Sequence, residues 1–138
     1  MRQLQPCVST GREGGSGTER ARLLEVEKLA SDQAERTADR VRLVLEAIRQ
    51  AARRAGRAPE SVRLVAATKF VPLATIQAAM AAGLTHLGES RVQEALQRLA
   101  ALAERRDLTW HFIGRLQRRK VRSVVGRFHL IHSLDSLE

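Results

Sequence analysis

The sequence predicts an α/β protein built on a parallel sheet, and three observations predict it. After a leading helix, short apolar runs alternate with amphipathic stretches along the 138 residues. Strict alternation makes each helix carry the chain back before the next strand can pair in the same direction. The runs are continuously apolar rather than alternating, the pattern of strands covered on both faces. Their ends, at Thr68, Glu89, Ile113 and His132, fall roughly twenty residues apart, near the spacing of a tight barrel of about 250 residues. From the residues alone, half of a (β/α)8 TIM barrel and an independent four-stranded sheet fit equally well.

The elements follow in order. Residues 1–17, with Pro6 and the run Gly11-Arg12-Glu13-Gly14-Gly15-Ser16-Gly17, bury little and are expected to be disordered. Ser16 and Glu19 have capping-box spacing before a short helix over Thr18 to Ala30. Residues 1–33 are thus read as a disordered or partly helical leader, and 34–138 as the barrel domain. From Asp32 to Ala55 the positions Val41, Val44, Leu45, Ile48 and Ala52 fall at helical spacing, with Gly56 as a left-handed stop and Pro59 as a breaker.

Val62 to Thr68 reads as the first buried strand, ending at Lys69. Pro72 suits the first turn of a helix facing inward with Leu73, Ile76, Ala79 and Met80 and closed by Gly83. Thr85 to Glu89 is the second strand. Ser90 with Gln93 forms a capping box for a helix lined by Val92, Ala95, Leu96, Leu99 and Ala103. Leu108 to Ile113 is the third strand, broken by Gly114. Leu116 to Val125 is a third helix stopped by Gly126, Phe128 to His132 the fourth strand, and Asp135 to Glu138 the start of another helix.

Hydrophobic residues make up 43% of the chain, enough for one core. No run nears the roughly 18 apolar residues of a membrane span. Cys7 is the single cysteine, so no intramolecular disulfide forms and a cytoplasmic location is expected. The net charge of +9 attracts anions of any kind, phosphorylated small molecules included. Arg115, Arg118, Arg119, Lys120, Arg122 and Arg127 form a dense basic segment. A basic α/β nucleic-acid module is one reading of it and a solvated helix face the other, because recognition of single strands adds exposed aromatics and the aromatics here sit chiefly at strand positions. Among the histidines, His129 and His132 are expected on opposite faces of a strand, and no metal-ligand spacing emerges.

In a parallel α/β sheet, ligands sit at the carboxyl ends of the strands. Four groups reach that edge: Lys69, Glu89-Ser90-Arg91, Gly114-Arg115 and His132-Ser133. Lys69 is one of three lysines against twenty-one arginines. It is expected to have a packed stem and a partly desolvated amine, which favours the neutral form that attacks aldehydes. The bland alternative is a lysine snorkelling into water.

Four blocks carry a resemblance: Val65-Ala66-Ala67-Thr68-Lys69, Gly88-Glu89-Ser90-Arg91-Val92-Gln93-Glu94, Trp110 through Lys120, and Ile131-His132-Ser133-Leu134-Asp135-Ser136. Together, from about Ala34 onward, they resemble the YggS-type pyridoxal phosphate homeostasis proteins. The resemblance implies the amino-terminal portion of an alanine-racemase-like, fold-type III barrel, with about four βα units here. It implies pyridoxal 5'-phosphate (PLP) held as a Schiff base on Lys69, with Ser90, His111, Gly114, His132 and Ser133 on the pocket side. It further implies a role in storing PLP and delivering it to PLP-dependent apoenzymes, without established turnover. Ser90, Arg115 and Arg119 stand where the family usually has asparagine, histidine or proline, and asparagine; the two arginines put more positive charge near the mouth, where it either favours an anionic ligand or only decorates the surface. The family's phosphate loops follow later strands than this sequence contains. With no tyrosine to act as the second acid/base, racemisation is not implied. A truncated half-barrel without a ligand is the remaining alternative, and its open sheet edges favour pairing with a missing half or with itself.

Overall fold

The computed structural model describes residues 16–133. The leader's Pro6, Cys7 and glycine run, and the helix expected from Asp135, lie outside the described residues. The chain divides into two compact units, Met1–Asp32 and Gln33–Glu138.

A single helix, α1, spans Ser16–Arg54, where two helices are expected with a start near Asp32. The reason is local. No glycine or proline interrupts the stretch between Gly17 and Gly56, and its alanines, leucines, glutamates and arginines all propagate a helix well. In the first unit Leu23, Leu24, Val26 and Leu29 are exposed. In the second, Val41 packs on the core and Ala52 is buried. Gly56, with φ 66°, ends the helix as expected. No helix of the described residues is long and apolar enough to cross a membrane.

The second unit then runs β1 (Val65–Ala67), α2 (Leu73–Ala81), β2 (His86–Glu89), α3 (Val92–Ala101), β3 (Thr109–Phe112), α4 (Val121–Val124) and β4 (Leu130–Ile131). The four strands lie in the order β1-β2-β3-β4, all parallel. This is an open run of βα units, a partial barrel that does not close on itself. Register pairs His86 with Thr109 and Leu87 with Trp110, so Leu87, Trp110 and Phe112 share one face and His86, Gly88 and His111 the other.

The first face meets the helices. Leu87 and Trp110 pack with Ile76, Ala79, Met80, Leu84 and Leu102, while Phe112 packs with Val92 and Val124. Each fully buried large side chain contributes roughly 1.5–3 kcal/mol. Trp110 and Phe112 are thus core residues, as the sequence suggests. On α3 the expected Ala103 is exposed and Leu102 is buried instead, because the helix ends at Ala101 and its C-cap turns Leu102 inward.

The third expected helix is reduced to a 3-10 turn at Arg118–Lys120 and the short α4. Three adjacent cations oppose the positive end of a helix dipole, and Val121 and Val125 find little to bury against. The Ser90 cap also fails. Arg91 is the N-cap of α3, with no side-chain hydrogen bond, because the Ser90 backbone is packed against Gly114.

Candidate functional site

The carboxyl ends of the strands form a stitched edge. At β1, Thr68 N–H donates to Gly88 O at 3.0 Å, and Val71 N–H donates to Thr68 O at 3.1 Å. The second bond closes a four-residue turn that carries Lys69 and Phe70. Phe70 has φ 61°, at the position where a type II turn needs a left-handed residue and usually takes glycine. A non-glycine residue held there marks stored strain, which clusters at functional sites. The Phe70 ring is exposed and lies under the Arg91 guanidinium, 4.6 Å from its centroid.

Lys69 stands on this turn with its side chain exposed. The expected packed stem and partly desolvated amine are therefore not found. The cause is position: among the described residues β1 is an edge of the sheet, paired only with β2, so one flank of its carboxyl end has no neighbouring strand there. The amine is open to an incoming aldehyde.

Ser90, Gly114 and Ser133 come together across the ends of β2, β3 and β4. A Cβ on Gly114 would sit 2.6 Å from Ser90 Cα and 2.7 Å from its carbonyl carbon, so only glycine allows this approach. The Ser133 hydroxyl donates to the Gly114 carbonyl. Beside them, Ser90, Arg91, Glu94, Arg115 and Lys120 line a cleft of about 360 Å³. Arg115 thus adds positive charge there, whereas Arg119 turns to Gln117 at 3.2 Å.

His111 and His132 join a row that sequence reading missed. His86 Nδ1 lies 3.0 Å from His111 Nε2, and His111 Nδ1 lies 3.0 Å from His132 Nε2. One N–H per neutral ring completes both bonds with a single polarity along the row. The His129 ring also meets His111 edge-on, with centroids 6.0 Å apart. The expectation that His129 and His132 face apart fails, since both rings meet His111. His129 N–H donates to Trp110 O and His132 N–H to Phe112 O, so three residues of one strand are set against two of the other and the alternation is broken. No group of three or more His, Cys, Asp or Glu is arranged to hold a metal among the described residues.

Burial lowers the pKa of His86, helped by Arg63 and His129. Burial likewise lowers that of His111, helped by the surrounding histidines and Arg63. A folded-state pKa below the unfolded one means that the unfolded chain binds protons first. The stability these rings contribute is complete above the unfolded value of about 6.5 and is lost as pH falls through their folded values. Thermal melts between pH 8 and 5 are expected to show the midpoint falling below about pH 6.5, with a smaller fall in His111→Gln. Equal pH slopes for wild type and variant would contradict this.

The fold and its edge place the chain in the class of parallel (β/α) barrel proteins with a lysine after the first strand, of which it holds a part. By sequence it is homologous to a segment of the pyridoxal phosphate homeostasis proteins. One from Synechocystis is 56% identical over 79 residues, 57% of this chain and 36% of that protein. Another from Pseudomonas aeruginosa is 44% identical over 101 residues, 73% of this chain and 44% of that protein. Among solved structures, PipY of Synechococcus elongatus, known with and without PLP bound, matches at 46% identity and TM-score 0.54, over 65% of this chain and 42% of PipY. A protein of unknown function from Bifidobacterium adolescentis matches at 36% identity and TM-score 0.66, over 76% of this chain and 47% of its own. The chain thus spans less than half the length of these relatives. No family model matches it.

Proposed function

We propose that this chain contributes to a cytoplasmic PLP carrier, holding the cofactor through Lys69 for storage and for delivery to PLP-dependent apoenzymes. The observation that carries the reading is the placement of Lys69, an exposed primary amine on a strained turn at the carboxyl edge of a parallel sheet. The identity with pyridoxal phosphate homeostasis proteins, and PLP bound in the structure of PipY, support it.

PLP supplies an aldehyde that condenses with a primary amine, forming a C=N bond with loss of water. The residues present suit such a group. Lys69 offers the nucleophile, the Ser90–Gly114 approach leaves no side chain in the way, and Arg91 and Arg115 offer cations at the adjoining cleft. On this reading Ser90, Gly114 and Ser133, drawn together at the strand ends, and the His111–His132 pair would contribute polar groups on the pocket side. In this reading residues 34–138 belong to the barrel and 1–33 form an extension. The β1 and β4 edges, each unpaired on one side among the described residues, are where a further barrel segment or a second copy would add strands.

The test is to mix the purified protein with PLP, reduce with borohydride and map the pyridoxyl adduct by peptide mass spectrometry. Label concentrated on Lys69, and its disappearance in Lys69→Ala, is the expected result. An even scatter over Lys28, Lys69 and Lys120 would sink the proposal. Salt-sensitive RNA retention without an adduct would instead favour a nucleic-acid module.

A further inference from the structure

The turn that carries Lys69 is gripped from behind by a buried ion pair, and we propose that Glu89 and Arg98 are positioning residues for the Lys69 amine. The proposal rests on the reading of Lys69 as the cofactor amine and adds how that amine is aimed. Glu89 ends β2 with its side chain fully buried, and Arg98 of α3, 16% exposed, pairs with its Oε1 at 2.5 Å. Arg98 Nη1 also donates to Thr68 O at 2.6 Å, and Nη2 donates to Val71 O at 3.0 Å. A single guanidinium therefore holds the first and last carbonyls of the turn whose two middle residues are Lys69 and Phe70. The Thr68 hydroxyl completes the grip by donating to Glu89 Oε1.

Taking two charges out of water is an expensive way to hold a loop, and a well-packed apolar pair often serves stability better. What an apolar pair lacks is direction. A planar guanidinium presents donors in a rigid fork, and here that fork fixes two carbonyls three residues apart, at the two ends of one turn. The left-handed Phe70 persists only where its surroundings over-determine it, and among the described residues the edge position of β1 leaves the turn without a strand on its other flank. The Glu89–Arg98 pair supplies that determination. An amine held within a narrow range of positions reacts faster than one that must be found among many.

The test compares wild type with Arg98→Met, Arg98→Lys and Thr68→Val, reading amide exchange at Val71 and the share of trapped PLP label on Lys69. In Arg98→Met, Val71 exchange should rise about ten-fold or more, while Thr109, bonded to Thr85 O at 2.8 Å inside the sheet, stays protected. The Lys69 share should drop towards that of the other lysines. Arg98→Lys should recover only part of both, since an ammonium can pair with Glu89 but cannot bridge both carbonyls as a fork. Unchanged Val71 exchange and label share in Arg98→Met would overturn the proposal. So would an equal rise at Val71 and Thr109, which marks general loosening. If Arg98→Met fails to fold, Thr68→Val decides on the same readouts, because it removes the hydroxyl at nearly constant shape. A wild type that never favours Lys69 would defeat the carrier reading, while the exchange data would still decide whether the turn is clamped.

Discussion

Phe112→Ala is expected to unfold most of the sheet's support, costing about 3–5 kcal/mol. The ring is fully buried, packs with Val92 and Val124, and meets Phe128 edge-to-face with centroids 5.5 Å apart. It joins α3, α4 and the approach to β4 through one side chain, so truncation leaves a cavity that short, poorly anchored α4 cannot collapse to fill. A domain of this size has about 5–15 kcal/mol in all, so the variant should lie close to its threshold. Urea denaturation followed by tryptophan fluorescence from Trp110 would measure it. A loss under about 1 kcal/mol would mean that the site relaxes and that Phe112 does not bridge these elements.

Gly114→Ala should have the second largest effect, and it should fall on the site as well as on stability. Its Cβ would meet the Ser90 backbone at 2.6–2.7 Å, and a backbone cannot rotate aside as a side chain can. The ends of β2 and β3 must separate, stretching the bond from Ile113 N–H to Glu89 O, now 2.8 Å, and the Ser133 hydroxyl's bond to Gly114 O. Overpacking of this kind costs roughly 1–3 kcal/mol. Faster amide exchange at Ile113, together with weaker PLP trapping on Lys69, is the expected pair of signals. Wild-type exchange at Ile113 would show that the strand ends do not need this close approach.

Much of this was legible in the chain itself. The βα order, the inward face of α2 at Ile76, Ala79 and Met80, and the stops at Gly56, Gly83 and Gly126 all follow from period and backbone chemistry within a few residues; Leu73, expected on that face, is exposed at the first turn of the helix. So does the position of Lys69 at a strand end. The errors lie where a local cue met a stronger neighbour. Ser90 has the spacing of a cap, yet its backbone is claimed by Gly114 across the sheet. The segment from Leu116 has helical spacing, yet its cations and its two exposed valines leave only one turn of α-helix.

The sequence by itself determined the order of strands and helices and which residues stand at the carboxyl ends of the strands, because those depend on side-chain period and on breakers. Only the tertiary structure decided the exposure of Lys69, the histidine row from His86 through His111 to His132, and the grip of Arg98 on the turn thirty residues before it. Each of these joins residues that become neighbours through parallel pairing, after a helix has carried the chain back. No local pattern records which side chains that return places side by side.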